Sequence, residues 1–216
     1  MRTLTKELQA SITPAIALDL LKEGNIRFVN NLKVNRNLLQ QANETSEGQF
    51  PFAVILSCID SRTSAELIFD QGLGDIFSCR IAGNVLNEDI LGSMEFACKV
   101  AGSKVIVVLG HTKCGAIKGA CDDVQMGYLS TLLAKVKPAI AAENITRDNR
   151  NAGNPDFVER VANLNVHLTL QQIPRKSRIL AEMIRKGEIT IAGGMYDVET
   201  GVVEFYDEDM VTADNL

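Results

Sequence analysis

The sequence predicts an α/β fold in which a mostly parallel β-sheet is covered by helices. Two observations carry this. Short unbroken apolar runs, Phe52 to Ser57 and Val105 to Leu109, have the length and composition of strands buried on both faces. Segments of helical periodicity lie between these runs and the later ones, which is the order expected of strand–helix–strand units.

The elements can be taken in order. The first 48 residues read as a polar, helical N-terminal arm. Ser11-Ile12-Thr13-Pro14 resembles a helix start, Ala17, Leu18 and Leu21 share a face, and Gly24 is expected to end that pattern. A second amphipathic stretch covers Asn25 to Leu32. The core is expected to span residues 49–216. It begins with the strand ending at Ser57, followed by a short helix from Ser64 to Phe69 and a second strand from Asp75 to Ile81. Asn87 to Ala101 reads as a helix stopped by Gly102. After the strand ending at Leu109, a helix starts near Gly115. Helices are expected over Tyr128 to Ala142, Pro155 to Gln172 and Arg178 to Lys186. Glu188 to Ala192 reads as a strand, Gly193-Gly194 as a break, and Val202 to Tyr206 as the last strand.

Composition excludes several classes. The chain of 216 residues has a net charge of −5, against the basic footprint of a nucleic-acid binder. No apolar stretch is long enough for a membrane span, and the N-terminus lacks a secretory pattern, so a cytoplasmic location is expected. Five cysteines, an odd number, argue against a disulfide scaffold. Only two histidines, His111 and His167, are available for chemistry.

Two short motifs stand at the ends of the two clearest strands: Cys58-x-Asp60-x-Arg62 and His111-x-x-Cys114. If those strands are parallel neighbours, both motifs fall on one edge of the sheet, where α/β proteins bind ligands. Two thiolates neutralise a zinc dication and one imidazole adds a neutral donor, so Cys58, His111 and Cys114 suit Zn2+. Three protein ligands leave a fourth position open, the pattern of a catalytic site. Packing as small hydrophobes is the alternative for Cys58 and Cys114, but both lie in turns rich in Gly, Ser and Asp. For Cys79, Cys98 and Cys121 the packed reading is preferred, and His167 reads as an ordinary helix residue. Asp60 and Arg62 read as a carboxylate oriented by a guanidinium.

Ser57-Cys-Ile-Asp-Ser-Arg62, Arg80-Ile-Ala-Gly-Asn84 and Gly110-His-Thr-Lys-Cys-Gly115 resemble the signature segments of β-carbonic anhydrases. The likeness extends to Gly24-Asn25-x-Arg27-Phe28 and to Gly193-Gly-Met-Tyr-Asp197 with Gly201. The resemblance implies four parallel strands plus an edge strand, an N-terminal arm reaching across a partner subunit, and a homodimer that often doubles to a tetramer. It implies one zinc per chain on Cys58, His111 and Cys114, with Asp60 and Arg62 as a catalytic dyad. The implied activity is reversible hydration of carbon dioxide to bicarbonate and a proton, through hydroxide generated at the zinc.

In some members the aspartate becomes a fourth zinc ligand in a closed form. That group commonly has tryptophan where this chain has Ile55. Gln49 and Phe77 instead match substrate-contacting positions of the plant-like, open-site members, and Phe96 stands where those often have tyrosine. Ile81 and the backbone N–H of Gly115 complete the expected substrate pocket. Two rival functions share these motifs: hydrolysis of carbonyl sulfide or carbon disulfide on the same scaffold, and a non-catalytic bicarbonate-binding module.

Overall fold

The computed structural model describes residues 3–216. Three helices come first, α1 (Lys6–Ser11), α2 (Pro14–Val29) and α3 (Leu38–Glu44). Strand β1 (Ala53–Ser57), the single-turn α4 (Ala65–Ile68) and β2 (Ile76–Arg80) follow. Helix α5 (Glu88–Glu95) runs on into a π turn, Phe96–Val100, before β3 (Val105–His111). Then come α6 (Gly115–Cys121), α7 (Gly127–Leu133), α8 (Lys137–Ala142), the long α9 (Pro155–Lys176) and α10 (Arg178–Arg185). Strands β4 (Thr190–Tyr196) and β5 (Val203–Phe205) complete the sheet.

The sheet order is β2-β1-β3-β4-β5. The first four strands are parallel and β5 is antiparallel to β4, as the sequence predicts. Alternation along the strands builds two layers. Val54, Leu56, Ile106 and Val108 face α5, α9 and α10 through Met94, Leu170 and Ile184. Ala53, Ile55, Val105 and Val107 face the other way, onto Ala17, Leu18 and Leu21 of α2 and Ile68 of α4. Helix α2 therefore packs on the sheet of its own chain, with Ala17 and Leu21 fully buried. A fully buried leucine such as Leu21 contributes about 1.5–3 kcal/mol. Among the described residues no helix is long and apolar enough to cross a membrane.

Three expected boundaries fall elsewhere, for two reasons. Helix α2 does not stop at Gly24. A Cβ there would lie 1.8 Å from the carbonyl oxygen of Phe69, so the glycine permits close approach of two segments rather than a helix end. Its neighbour Asn25 secures the contact by donating to Ile68 O (3.2 Å) and Gly201 O (2.9 Å). Gly193-Gly194 likewise lies inside β4, not after a strand. A Cβ on Gly193 would meet Leu170 of α9 at 2.7 Å, so the glycine lets the helix settle on the sheet. The helix expected over Tyr128 to Ala142 is divided by a 3₁₀ turn at Ala134–Val136, and Pro138 occupies the first turn of α8. Proline has no N–H to continue the ladder but suits a helix start.

The glycines give a paired test. Gly24→Ala is expected to destabilise the fold by about 3 kcal/mol or more, because backbone must move. Gly92→Ala, on α5 with nothing within 4 Å of the added carbon, is expected to stabilise by about 0.5–1 kcal/mol. Urea unfolding of the two variants checks this, and equal tolerance would show that Gly24 is not a packing glycine.

Candidate metal centre

Strand order reverses between β1 and β3: from β1 the chain goes to β2 on one side and then to β3 on the other. Their register pairs Ser57 with Leu109, so Cys58, just after β1, and His111, the last residue of β3, leave the same edge of the sheet. Such a crevice is where open α/β sheets bind ligands. Lys113 takes the left-handed conformation (φ 57°) and turns the chain back, so that Cys114 becomes the N-cap residue of α6.

The ligand atoms of Cys58, His111 and Cys114 all lie within 4.8 Å of one another, and all three residues are buried. The two sulfurs are 3.9 Å apart. His111 Nδ1 lies 2.8 Å from the carbonyl oxygen of Thr112, which places the proton on Nδ1 and the lone pair on Nε2. That Nε2 is buried and has no hydrogen-bond partner. A lone pair so oriented, with the other ring nitrogen held by a carbonyl, is the usual setting of a metal-bound histidine. Two sulfurs and one imidazole nitrogen suit zinc.

The thiols perturb one another. Cys58 is lowered, chiefly by the hydrogen bond from Cys114, with help from His111, the Gly83 N–H and the Asp60 N–H against the opposing effect of burial. Cys114 is pushed up by that same bond and by burial, although the N–H groups of Ile117 and Ala116 draw it down. The pair therefore holds one proton between them unless a cation compensates the second charge.

Asp60 stands beside this group, its Oδ2 4.0 Å from His111 Nε2. Arg62 holds both of its oxygens: Nε donates to Oδ1 at 2.9 Å, Nη2 to Oδ2 at 2.7 Å, and the Arg62 backbone N–H to Oδ1 at 3.0 Å. These bonds, those of the Arg62 side chain first, hold the Asp60 carboxyl well below the usual range.

Several supporting residues were given no role from the sequence. Arg80 donates to the carbonyl oxygens of Cys58 (3.0 Å) and Asp60 (2.6 Å). Thr63 donates to the same two carbonyls, at 3.0 and 2.9 Å. The Gly83 N–H points at Cys58 Sγ, 3.3 Å away, and Asn165 on α9 holds the Gly83 carbonyl at 2.9 Å. On the other side, Thr112 is held by Tyr196 O (2.9 Å) and by the Val198 N–H (3.1 Å). The only sequence signals were the Arg80–Asn84 and Gly193–Asp197 motifs themselves.

The expected substrate residues are distributed differently. Gly115 opens α6, exposed, with nothing within 4 Å of where a Cβ would lie. Ile81 packs against the apolar cluster that contains Cys58 and Cys114. Phe77 and Phe96 meet edge to face, centroids 6.2 Å apart, and line an open cavity of about 670 Å³ whose walls include none of the three ligands. Gln49 is exposed in the segment before β1. His167 stacks on Tyr206 and approaches Asp209 at 3.4 Å, away from the ligand set. Burial pushes the Cys98 thiol up to about 12 and the Cys121 thiol up to about 11, as befits packed cysteines.

Comparison with known proteins agrees with this geometry. The family model for carbonic anhydrase matches residues 53–203. A carbonic anhydrase of Mycolicibacterium smegmatis is 36% identical over 198 residues, covering 88% of this chain and 92% of that protein. Carbonic anhydrase 2 of Mycobacterium tuberculosis is 36% identical over 194 residues, covering 87% and 90%. Among solved structures, a tetrameric β-carbonic anhydrase of Sordaria macrospora shares 25% identity with a TM-score of 0.66, over 76% of this chain and 85% of that one. The Coccomyxa β-carbonic anhydrase in complex with acetazolamide shares the fold at a TM-score of 0.70 and 22% identity, over 88% and 86%. With the relatives covered nearly end to end and the buried sulfur–imidazole group where a zinc ligand set would stand, the chain belongs to the β-carbonic anhydrase family.

Proposed function

We propose that the chain carries out the family reaction, reversible hydration of carbon dioxide to bicarbonate and a proton, at a zinc ion held by Cys58, His111 and Cys114. The observation that carries this reading is the unpartnered, buried His111 Nε2, which faces two sulfurs and lies 4.0 Å from a charged Asp60. Bound zinc supplies the Lewis acidity that lets water ionise near neutral pH, a property for which carbonic anhydrase is itself the reference case.

The chain's own residues do the rest. Asp60 accepts a hydrogen bond from the attacking water and aims its free lone pair at carbon dioxide. Arg62 keeps the carboxylate ionised and fixes its rotamer. Its grip on both carboxylate oxygens supports the open arrangement, in which Asp60 is not a zinc ligand. Charge develops on the bicarbonate oxygens, and we assign its stabilisation to the N–H of Gly115, the exposed first residue of α6. Ile81 contributes apolar wall beside the cysteines.

Phe77 and Phe96 line a cavity apart from the ligands of their own chain. They reach substrate only if a second subunit brings its β2 edge over this site, and Gln49 is assigned with them. An oligomer, a dimer or a doubled dimer, is thus part of the same reading. The Sordaria macrospora relative is tetrameric, and Phe96, 53% exposed, with Val100 and Ile59 offers apolar surface for a second copy to cover. We place the enzyme in the cytoplasm, where a reducing environment keeps the ligand thiols free.

Cys58→Ser and Cys114→Ser are each expected to lose zinc, from about one ion per chain to near zero, and hydration activity together. Metal analysis with stopped-flow hydration checks this, and a variant that keeps both would remove that cysteine from the site. Asp60→Asn is expected to retain zinc while slowing hydration roughly 10²–10⁴-fold.

Arg62→Ala tests pH dependence. The active form of Asp60 is the carboxylate, present above its pKa, and Arg62 depresses that pKa. Removing Arg62 lets the carboxyl return towards its ordinary value of about 3.9. The titration midpoint of the Asp60 carboxyl, followed by carbon-13 NMR, is therefore expected to move to higher pH. A midpoint that stays in place would refute the dyad.

A further inference from the structure

A polar cavity lies next to the Ala82–Asn84 turn, lined in part by Val85 and Leu86, which follow that turn, and by Asn165, which holds its Gly83 carbonyl. Its volume is about 170 Å³, room for a few water-sized groups at roughly 30 Å³ each, and hence for a small ion rather than a nucleotide. One wall is a single face of α9. Asn165, Thr169, Gln172 and Lys176 are spaced by four, three and four residues and so line one stripe of the helix. Lys135, from the 3₁₀ turn between α7 and α8, stands across from them.

Three polar groups of this cavity, Lys135, Lys176 and the Thr169 hydroxyl, have no partner among the described residues. Thr169 is only 4% exposed and Asn165 5%. Among the described residues the Thr169 hydroxyl makes no hydrogen bond, not even the common one back along its own helix. Lys135 and Lys176 have no ion-pair partner there, and no acidic residue lines the cavity. Two ammonium groups on exposed lysines, with the unpartnered hydroxyl of the buried Thr169 between them and the Asn165 amide, form a site for negative charge. In a chain of net charge −5, such a concentration of uncompensated donors is not a generic surface.

We propose that this cavity binds a small oxyanion, of the carboxylate, bicarbonate or phosphate type, between Lys135, Lys176 and Thr169. It is further placed to influence the metal site. Asn165 in its wall donates to the Gly83 carbonyl at 2.9 Å, and the N–H of Gly83 donates to Cys58 Sγ at 3.3 Å. An anion that draws on Asn165 shifts the peptide that holds a ligand sulfur. This coupling rests on Cys58 being a zinc ligand, whereas the binding site itself does not.

The test is titration calorimetry of the zinc-loaded protein with inorganic phosphate, and separately with acetate, at constant ionic strength, with chloride as the control. Saturable phosphate binding at one site per chain is expected. Lys135→Ala with Lys176→Ala should weaken it at least tenfold, and Thr169→Val, nearly isosteric, several-fold. None of the three residues belongs to the catalytic machinery, so hydration without added anion should be unchanged. Absent binding, or equal affinity in wild type and the double variant, would overturn the site. The relative affinities of phosphate and acetate identify which oxyanion chemistry it prefers. For the coupling, phosphate should alter the hydration rate of wild type and not of the double variant. An equal effect on both would be ordinary competition at the metal and would overturn the coupling, as would no effect on either.

Discussion

Two sulfur atoms 3.9 Å apart in a buried site cannot both be anionic without a cation between them. Burial opposes charge, and each thiolate opposes the other. The opposite displacements of Cys58 and Cys114 express this conflict. A divalent ion resolves it, because it replaces the shared proton and also takes the otherwise unmatched lone pair of His111. The rest of the site can be understood as what is needed to hold this set in place. Adjacent parallel strands bring Cys58 and His111 to one edge, the left-handed Lys113 brings Cys114 round to them, and Thr112 O fixes the imidazole tautomer.

What the sequence discloses follows from which contacts are local. Strands β1 and β3 are legible because both of their faces are buried and their residues are apolar without interruption. The ligand set is legible because its members follow those strands directly and because zinc has narrow preferences of donor and charge. Gly24 and Gly193-Gly194 are misleading for a complementary reason. A glycine that ends an element and one that admits a distant segment look the same in one dimension. The carbonyl that Gly24 accommodates belongs to Phe69, and the side chain that Gly193 accommodates belongs to Leu170. Neither partner can be named before the fold is known.

The supporting residues were hidden for the same reason. Arg80 reaches the Cys58 carbonyl across 22 positions of sequence, and Asn165 reaches Gly83 across 82. These are side-chain to backbone bonds, and they depend on where a carbonyl points rather than on which residue carries it. No pattern of residue types encodes that. Their effect is nonetheless specific: Arg80 satisfies carbonyls of the turn after β1 and Asn165 one of the turn after β2, groups that unpaired and buried would cost about 1–3 kcal/mol each, and together they leave Cys58 Sγ and the Asp60 carboxylate with little freedom.

The electrostatics of Asp60 also separate two roles that a carboxylate beside zinc could play. A general base works best with a pKa near the working pH, and Arg62 moves Asp60 in the opposite direction. The Arg62 partner is half exposed, at 48% against 18% for Asp60, so the pair contributes little to stability. What it does provide is a fixed acceptor. Two guanidinium bonds and one backbone bond leave the carboxylate a single orientation, with Oδ2 turned towards His111 Nε2. An acceptor that is difficult to protonate suits the role proposed for Asp60, orienting the attacking water without retaining its proton. That proton must pass to solvent by another path. His167, stacked on Tyr206 and paired with Asp209 away from the ligands, is not placed to receive it, whereas the exposed rim at Arg62 leaves the site open to water and buffer.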